Sequence, residues 1–145
     1  LLLALDAVIT VQSAGGSKDH TAQDFFLGMY ETALEEGELV MTNFVDFDML
    51  YGHRRDPEGY ANCLREFDTW LGTFLPKVGN DFLIITADHG NDPTWVGTDH
   101  TREQVPVLAV GAGVKDIGQV MFVDVAASVA DYLGLSEHGP GRSFL

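Results

Sequence analysis

The chain has 145 residues, 46% of them hydrophobic, and carries 22 acidic against 8 basic side chains for a formal net charge of −14. This length and apolar content favour one domain with a packed core, and the negative charge argues against nucleic acid or an anionic membrane as a partner. Cys63 is the only cysteine, so an internal disulfide is excluded and a reducing compartment, the cytoplasm, is the expected location.

Apolar runs alternate with helical patterns along the chain. We expect strands at residues 7–11, 39–45, 82–86 and 105–110, and helices at residues 21–36 and 123–133. Between the second and third strands, Asp56 and Pro57 open a further helix as its N-cap and first residue. Its apolar stripe is formed by Tyr60, Leu64, Phe67, Leu71 and Phe74. This alternation predicts a three-layer α/β/α fold with a mainly parallel sheet.

Acidic and histidine side chains gather in three short clusters that follow, or lie on loops after, the apolar runs. Asp48 and His53 form the first cluster, Asp88 and His89 the second, and His100 lies in the third. In parallel sheets, ligands bind beyond the carboxyl ends of the strands. Carboxylates and neutral imidazoles suit Mn²⁺, Zn²⁺ or Fe²⁺. The clusters therefore predict a site for divalent metal.

The local geometry of these clusters leaves alternatives open. Five residues separate Asp48 from His53, which is not the i, i+4 spacing of helical ligands, so we expect a loop there. Asp46 is a further ligand or an acceptor that orients an imidazole. Asp88 could instead cap a turn beside a hydrogen-bonded histidine, and an isolated loop histidine such as His100 is often structural.

Arg54 and Arg55 follow His53 directly. Two guanidinium groups beside a metal site suit a phosphate, because Arg donates hydrogen bonds in a fork to phosphate oxygens. The alternative is that they pair with the nearby acids Asp56 and Glu58. The sequence leaves these two interpretations equal.

Two longer stretches resemble the phosphopentomutases of the alkaline phosphatase superfamily. They are residues 41–56, which contain His-Arg-Arg-Asp, and residues 86–103, which begin Thr-Ala-Asp-His-Gly-Asn-Asp-Pro-Thr-Trp. The ending at residues 141–145 is also similar to the family's C-terminus. The related cofactor-independent phosphoglycerate mutases share the Thr-Ala-Asp-His-Gly-Asn stretch but not His-Arg-Arg-Asp. Phosphopentomutase is therefore the more specific resemblance, and it implies an alkaline-phosphatase-like core.

The resemblance implies two Mn²⁺ ions, one held by Asp88 and His89 and the other by Asp48, His53 and His100. It also implies a pentose phosphate substrate, because this family interconverts ribose or deoxyribose 1-phosphate and 5-phosphate through a phosphorylated threonine on the enzyme.

Nothing in residues 1–40 carries the family's nucleophilic threonine or its further metal-binding aspartate. We therefore expect residues 1–145 to be a single domain, the C-terminal third to two-fifths of such an enzyme. The N-terminal part and the cap domain would be absent from it, and that N-terminal part is an expected partner. Two other functions stay open: a shortened, non-catalytic metal-binding protein, and a metal-dependent hydrolase of the phosphatase type.

Overall fold

The structure, a computed structural model, describes residues 5–6, 39, 41, 43–111, 113, 115–136 and 139–145. The strand expected at residues 7–11 and the helix expected at residues 21–36 lie outside this part. The described elements are β1 (Leu5–Asp6), β2 (Asn43–Phe44), a π-helix (Phe47–Gly52), α1 (Pro57–Val78), β3 (Leu83–Ile85), β4 (Leu108–Val110) and α2 (Phe122–Tyr132). Within these residues, no helix is long and apolar enough to cross a membrane.

Helix α1 forms as its sequence predicts. The Asp56 side chain accepts a hydrogen bond of 2.9 Å from the backbone N–H of Gly59, which caps the first turn. Tyr60, Phe67 and Phe74 are buried on one face of the helix. The helix continues to Val78 and ends at Gly79, whose φ of 58° is in the left-handed region that glycine adopts readily.

The strands are shorter than expected, and their pairing differs from the prediction. The described part of the chain contains two separate antiparallel pairs, β1 with β2 and β3 with β4, in place of the mainly parallel sheet that we expected. Parallel neighbours need a crossover, usually a helix. No helix lies between β3 and β4, so the chain turns back and pairs antiparallel. The fold is α/β in composition, and β4 starts two residues after Pro106, which cannot donate to a strand ladder.

The hydrophobic core joins the π-helix, α1 and β3. Phe47 is 2% exposed, and its ring centroid lies 5.7 Å from that of Tyr60 and 6.1 Å from that of Phe67. Ile85, the last residue of β3, belongs to the same cluster. Full burial of such a side chain stabilises the fold by about 1.5–3 kcal/mol. The core therefore fixes the two segments that carry Asp48 and Asp88 close to each other. The full cluster consists of Phe44, Phe47, Tyr60, Phe67, Phe74, Val78 and Ile85.

The C-terminal tail packs on α2 without regular secondary structure. Asp124 accepts backbone hydrogen bonds from Arg142 and Met121, both 2.8 Å long. These two bonds hold the pKa of the Asp124 carboxyl below its usual value, with the Arg142 bond the larger cause. The backbone N–H of Phe144 donates to the Ser128 hydroxyl at 2.9 Å. Residues 139–145 form neither helix nor strand, as the sequence predicts.

Candidate metal centre

A π-helix places Asp48 and His53 on one face. In this rare helix each N–H bonds to the carbonyl five residues earlier, and the N–H of His53 donates to the carbonyl of Asp48 at 2.9 Å. A spacing of five is therefore one turn, and His53 Nε2 lies 3.2 Å from Asp48 Oδ2. The expectation of a loop was wrong, because the i, i+4 rule holds for α-helical turns only.

His100 joins this pair from a distant loop. Its Nε2 lies 3.3 Å from Asp48 Oδ1 and 3.2 Å from His53 Nε2. The ligand atoms of the three residues all lie within 4.8 Å of one another. We refer to Asp48, His53 and His100 as the triad.

The loop that carries His100 is held by an isolated β-bridge between Gly90 and Thr101. The Thr101 N–H donates to the Gly90 carbonyl at 2.9 Å, and the Thr101 hydroxyl accepts from the Asp92 N–H at 2.9 Å. Because Thr101 is fixed in this way, the His100 ring stacks on the His89 ring with their centroids 3.6 Å apart. The second and third sequence clusters thus meet side by side.

The spacing of the triad fits one small divalent cation. Metal–ligand bonds of about 2.0–2.2 Å place neighbouring ligands about 3.0 Å apart in an octahedron and about 3.4 Å apart in a tetrahedron. His53 Nε2 lies 3.2 Å from Asp48 Oδ2, His100 Nε2 lies 3.3 Å from Asp48 Oδ1, and the two Nε2 atoms are 3.2 Å apart. These separations lie between the two values, with both carboxylate oxygens facing the histidines. His53 Nδ1 faces the backbone carbonyl of Thr98. Donation from Nδ1 leaves Nε2 with its lone pair directed at the triad.

Asp88 and His89 form a second pair beside the triad. His89 Nε2 lies 3.2 Å from Asp88 Oδ2, and His89 Nδ1 lies 3.3 Å from the Gly90 carbonyl. This pair and Asp48 line one cleft of about 130 Å³. Among the described residues, the triad is the one group of three close ligand side chains. In that part of the chain, Asp88 and His89 have no third ligand of this kind beside them. The pair could hold a second cation only together with further ligands.

Asn91 is a residue of this site that sequence reasoning missed. It is 3% exposed, and its Nδ2 donates to Asp48 Oδ1 at 2.6 Å. The available signal was its place in the Asp-His-Gly-Asn stretch, where a buried amide needs a partner. Its sequence position alone did not distinguish this role from that of an ordinary loop asparagine.

The arginines next to the site are exposed. Arg54 Nε donates to the Met49 carbonyl at 3.3 Å, and in the described part of the chain neither Arg54 nor Arg55 forms an ion pair with a carboxylate. Asp56, one of the two acids considered as alternative partners for them, accepts from the Gly59 N–H. Arg55 has φ 56°, a conformation that costs free energy for a residue with a Cβ.

Asp46, the further ligand considered from the sequence, influences a different group. Burial, followed by the charges of Asp46 and Glu66, raises the pKa of the Cys63 thiol from 9.0 to about 11. Cys63 is partly buried and packs against the core, which agrees with the core position expected for it. The carboxylate of Asp46 is exposed, and it is not a member of the triad.

Comparison with known families identifies the kind of protein to which this site belongs. The sequence pattern of the metalloenzyme superfamily matches residues 3–137 of the chain. The chain belongs to the metalloenzyme superfamily. The superfamily and the triad together support a divalent metal as cofactor.

Within this superfamily the chain is similar to phosphopentomutases. It is 54% identical over 138 residues to the phosphopentomutase of Chromohalobacter salexigens, covering 88% of this chain and 33% of that protein. It is 54% identical over 115 residues to that of Symbiobacterium thermophilum, covering 76% of this chain and 29% of the relative. The resemblance to phosphopentomutases is confirmed, and the chain spans about a third of the length of the curated relatives it matches.

Proposed function

We propose that this chain is the metal-binding part of a phosphopentomutase-type phosphotransferase, an isomerase of ribose or deoxyribose 1-phosphate and 5-phosphate. The observation that carries the proposal is the convergence of Asp48, His53 and His100 beside the Asp88–His89 pair. The relatives that bear the name phosphopentomutase support the substrate class. In this proposal the triad holds one Mn²⁺, and Asp88 with His89 holds another with help from residues outside the chain.

The residues of the chain act by orienting groups and by binding phosphate. The Thr98 carbonyl fixes the ring of His53, and the stacked rings of His89 and His100 hold each other in place. Bound divalent ions supply positive charge that offsets the charge on a transferring phosphoryl group. In the described part of the chain Arg54 and Arg55 form no ion pair with a carboxylate, and in this proposal their guanidinium groups bind a substrate phosphate in the bidentate manner typical of Arg.

The nucleophile of the proposed reaction lies outside the 145 residues, as the resemblance implies. Three threonines near the ligands already use their hydroxyl groups in local structure. Thr86 donates to the Pro106 carbonyl at 3.0 Å, Thr94 donates to Asp92 at 2.7 Å, and Thr101 donates to Glu103. Thr98, the fourth threonine near the ligands, has its carbonyl beside His53 Nδ1. None of the four matches the family's nucleophile, so in this proposal a threonine from another segment stores the phosphoryl group covalently between its two transfers.

The rest of the expected fold is part of the same proposal. β4 exposes its apolar side chains, with Leu108 52% and Val110 42% exposed. Exposed apolar strands need a cover in a stable domain. We infer that a further N-terminal segment covers these side chains. In this proposal that segment completes the parallel, three-layer core of a single domain. We also infer that the protein works in the cytoplasm.

Titration of the 145-residue chain with Mn²⁺ tests the assignment of ligands. We expect His53→Ala to abolish the tighter site, because the triad keeps three ligands in this chain. Asp88→Asn should affect only a weaker site, which lacks its other ligands. Asp99→Asn is the matched control, since Asp99 is an exposed neighbour of His100 outside the triad. Loss of the tighter site on Asp88→Asn but not on His53→Ala would contradict the assignment.

Isomerisation of ribose 1-phosphate to ribose 5-phosphate tests the reaction. We expect no activity from the 145-residue chain and activity from a version that includes an N-terminal segment and cap. Isomerisation by the isolated chain, abolished by Asp88→Ala, would show that the nucleophile is within it. Hydrolysis of an activated phosphate ester without isomerisation by the longer version would favour a hydrolase instead, and metal binding without either activity would favour a non-catalytic protein.

A further inference from the structure

Asn91 lies in the interior between the carboxylate of Asp48 and the backbone of Gly52. The residue is 3% exposed, so its amide is largely shielded from bulk water. Its Nδ2 donates to Asp48 Oδ1 over 2.6 Å, from a position 43 residues away in the chain. The bond therefore ties the loop after β3 to the π-helix at a member of the triad.

The bond orients the carboxylate of Asp48. With Oδ1 held by Asn91, the group cannot rotate freely, and Oδ2 stays 3.2 Å from His53 Nε2. The same Oδ1 lies 3.3 Å from His100 Nε2, so its position also sets the distance between Asp48 and His100. A ligand that is held before the cation arrives loses less conformational freedom on binding. Partners of this kind commonly contribute a large part of metal affinity.

Gly52 provides the space in which the Asn91 amide lies. A Cβ at position 52 would be 2.3 Å from Asn91 Nδ2 and 2.4 Å from Asn91 Cγ, closer than atoms can approach. Gly52 is buried, ends the π-helix and directly precedes His53. Any side chain there must displace the amide or the backbone that carries His53. The contact of Asn91 with Gly52 therefore makes the position of His53 depend on the same amide that holds Asp48.

We propose that Asn91 is a positioning residue for the metal centre. Gly52, which has no Cβ, leaves the space that the Asn91 amide occupies. The inference rests on the proposed metal-binding function and goes beyond it by assigning roles to two residues that bind no metal themselves. Asn91 holds the Asp48 carboxylate through its hydrogen bond. Gly52 acts by leaving the amide in place.

Mn²⁺ titration of the 145-residue chain tests the proposal, with the metal alone as the probe. Asn91→Leu keeps the size of the side chain but removes the donor, and it should weaken Mn²⁺ binding about 10–100-fold. Asn62→Ala is the control: Asn62 is an exposed asparagine on α1 that accepts from Arg65, and its loss should leave the affinity unchanged. Unchanged Mn²⁺ affinity in Asn91→Leu, with a lower melting temperature in EDTA, would show a merely structural role and overturn the proposal.

A double-mutant cycle tests the role of Gly52. Gly52→Ala alone should weaken Mn²⁺ binding by displacing the amide. In an Asn91→Ala background the space is vacant, so adding Gly52→Ala should have little further effect. If the losses of Mn²⁺ affinity from the two substitutions were additive, Gly52 would not act through the Asn91 amide. Should Asn91→Leu fail to fold, Gly52→Ala tests the same hydrogen bond, and unchanged affinity in it would count against the proposal.

The proposed function is tested separately by His53→Ala. If His53→Ala abolishes Mn²⁺ binding while Asn91→Leu and Gly52→Ala do not weaken it, only the positioning role fails. If the unmodified chain and His53→Ala bind Mn²⁺ equally, the metal centre itself is wrongly assigned, and the role of Asn91 falls with it.

Discussion

Phe47 couples the core to the metal centre, and replacing it should affect both. The residue is 2% exposed and directly precedes Asp48 in the π-helix. Its ring meets the rings of Tyr60 and Phe67 at 5.7 and 6.1 Å. An aromatic pair contributes about 0.5–1.5 kcal/mol beyond area burial. Phe47→Leu keeps most of the apolar volume, so the loss of two pairs predicts a decrease of roughly 1–3 kcal/mol in the free energy of unfolding.

The same substitution should also weaken Mn²⁺ binding. Without the ring, the turn that presents Asp48 to His53 is less firmly held. If about 1 kcal/mol of the loss is expressed as disorder in the triad, the affinity falls roughly fivefold. Urea unfolding in EDTA measures the first effect, and calorimetric titration with Mn²⁺ measures the second.

Phe74→Leu is the matched control for this prediction. Phe74 is also 2% exposed and lies in the same core, where it stacks on Trp70 with centroids 5.2 Å apart near the far end of α1. Its replacement should reduce stability to a similar degree and change Mn²⁺ affinity by no more than about twofold, because distant sites act independently. Equal losses of Mn²⁺ affinity in the two variants would refute the coupling through Phe47.

Two further predictions concern pH and thiol chemistry. Mn²⁺ occupancy should fall as pH drops below about 6, because ligating imidazoles must be unprotonated; equal occupancy by metal analysis at pH 5 and pH 7 would show that His53, His89 and His100 are not ligands. Since the pKa of Cys63 is raised from 9.0 to about 11, its thiolate fraction at pH 8 is on the order of 100-fold below that of an unshifted thiol. Reaction with a disulfide reagent should be correspondingly slow in the folded chain and fast in urea, and equal rates would contradict the buried environment.

The elements that the sequence predicts well are those decided by nearby residues. Helix α1 begins at the Asp56 cap and Pro57 and buries Tyr60, Phe67 and Phe74, because cap chemistry and a 3.6-residue period act within one segment. The limits of α2 differ from the expected helix by one residue at each end. Local signals sufficed for both helices.

Strand pairing could not be predicted in the same way, because the choice of partner depends on distant parts of the chain. The apolar runs at residues 82–86 and 105–110 both contain strands, but nothing in either run states the direction of its neighbour. The direction follows from the connection between them, which contains the β-bridge and the metal loop in place of a crossover helix. The mainly parallel sheet was inferred from alternation alone.

Candidate ligands can be chosen from a sequence because their chemistry is carried by residue type. Asp48, His53 and His100 were chosen as carboxylate and imidazole groups after apolar runs, and the structure brings their ligand atoms together. Asn91 was not predictable in this way, because asparagine has many uses in loops. Its role depends on burial and on a partner 43 residues away, neither of which a single sequence displays.

The π-helix explains why the spacing of Asp48 and His53 is informative after all. A π turn is rare, and it persists where surrounding contacts over-determine it. Here the first residue of the π-helix, Phe47, is buried in the core, and its last residue, Gly52, lies against the Asn91 amide. Both contacts hold the turn in the register that places an i, i+5 pair on one face. In this chain a spacing that argues against an α-helix belongs to a π turn, in which the buried Phe47 directly precedes the first candidate ligand and Gly52 directly precedes the second.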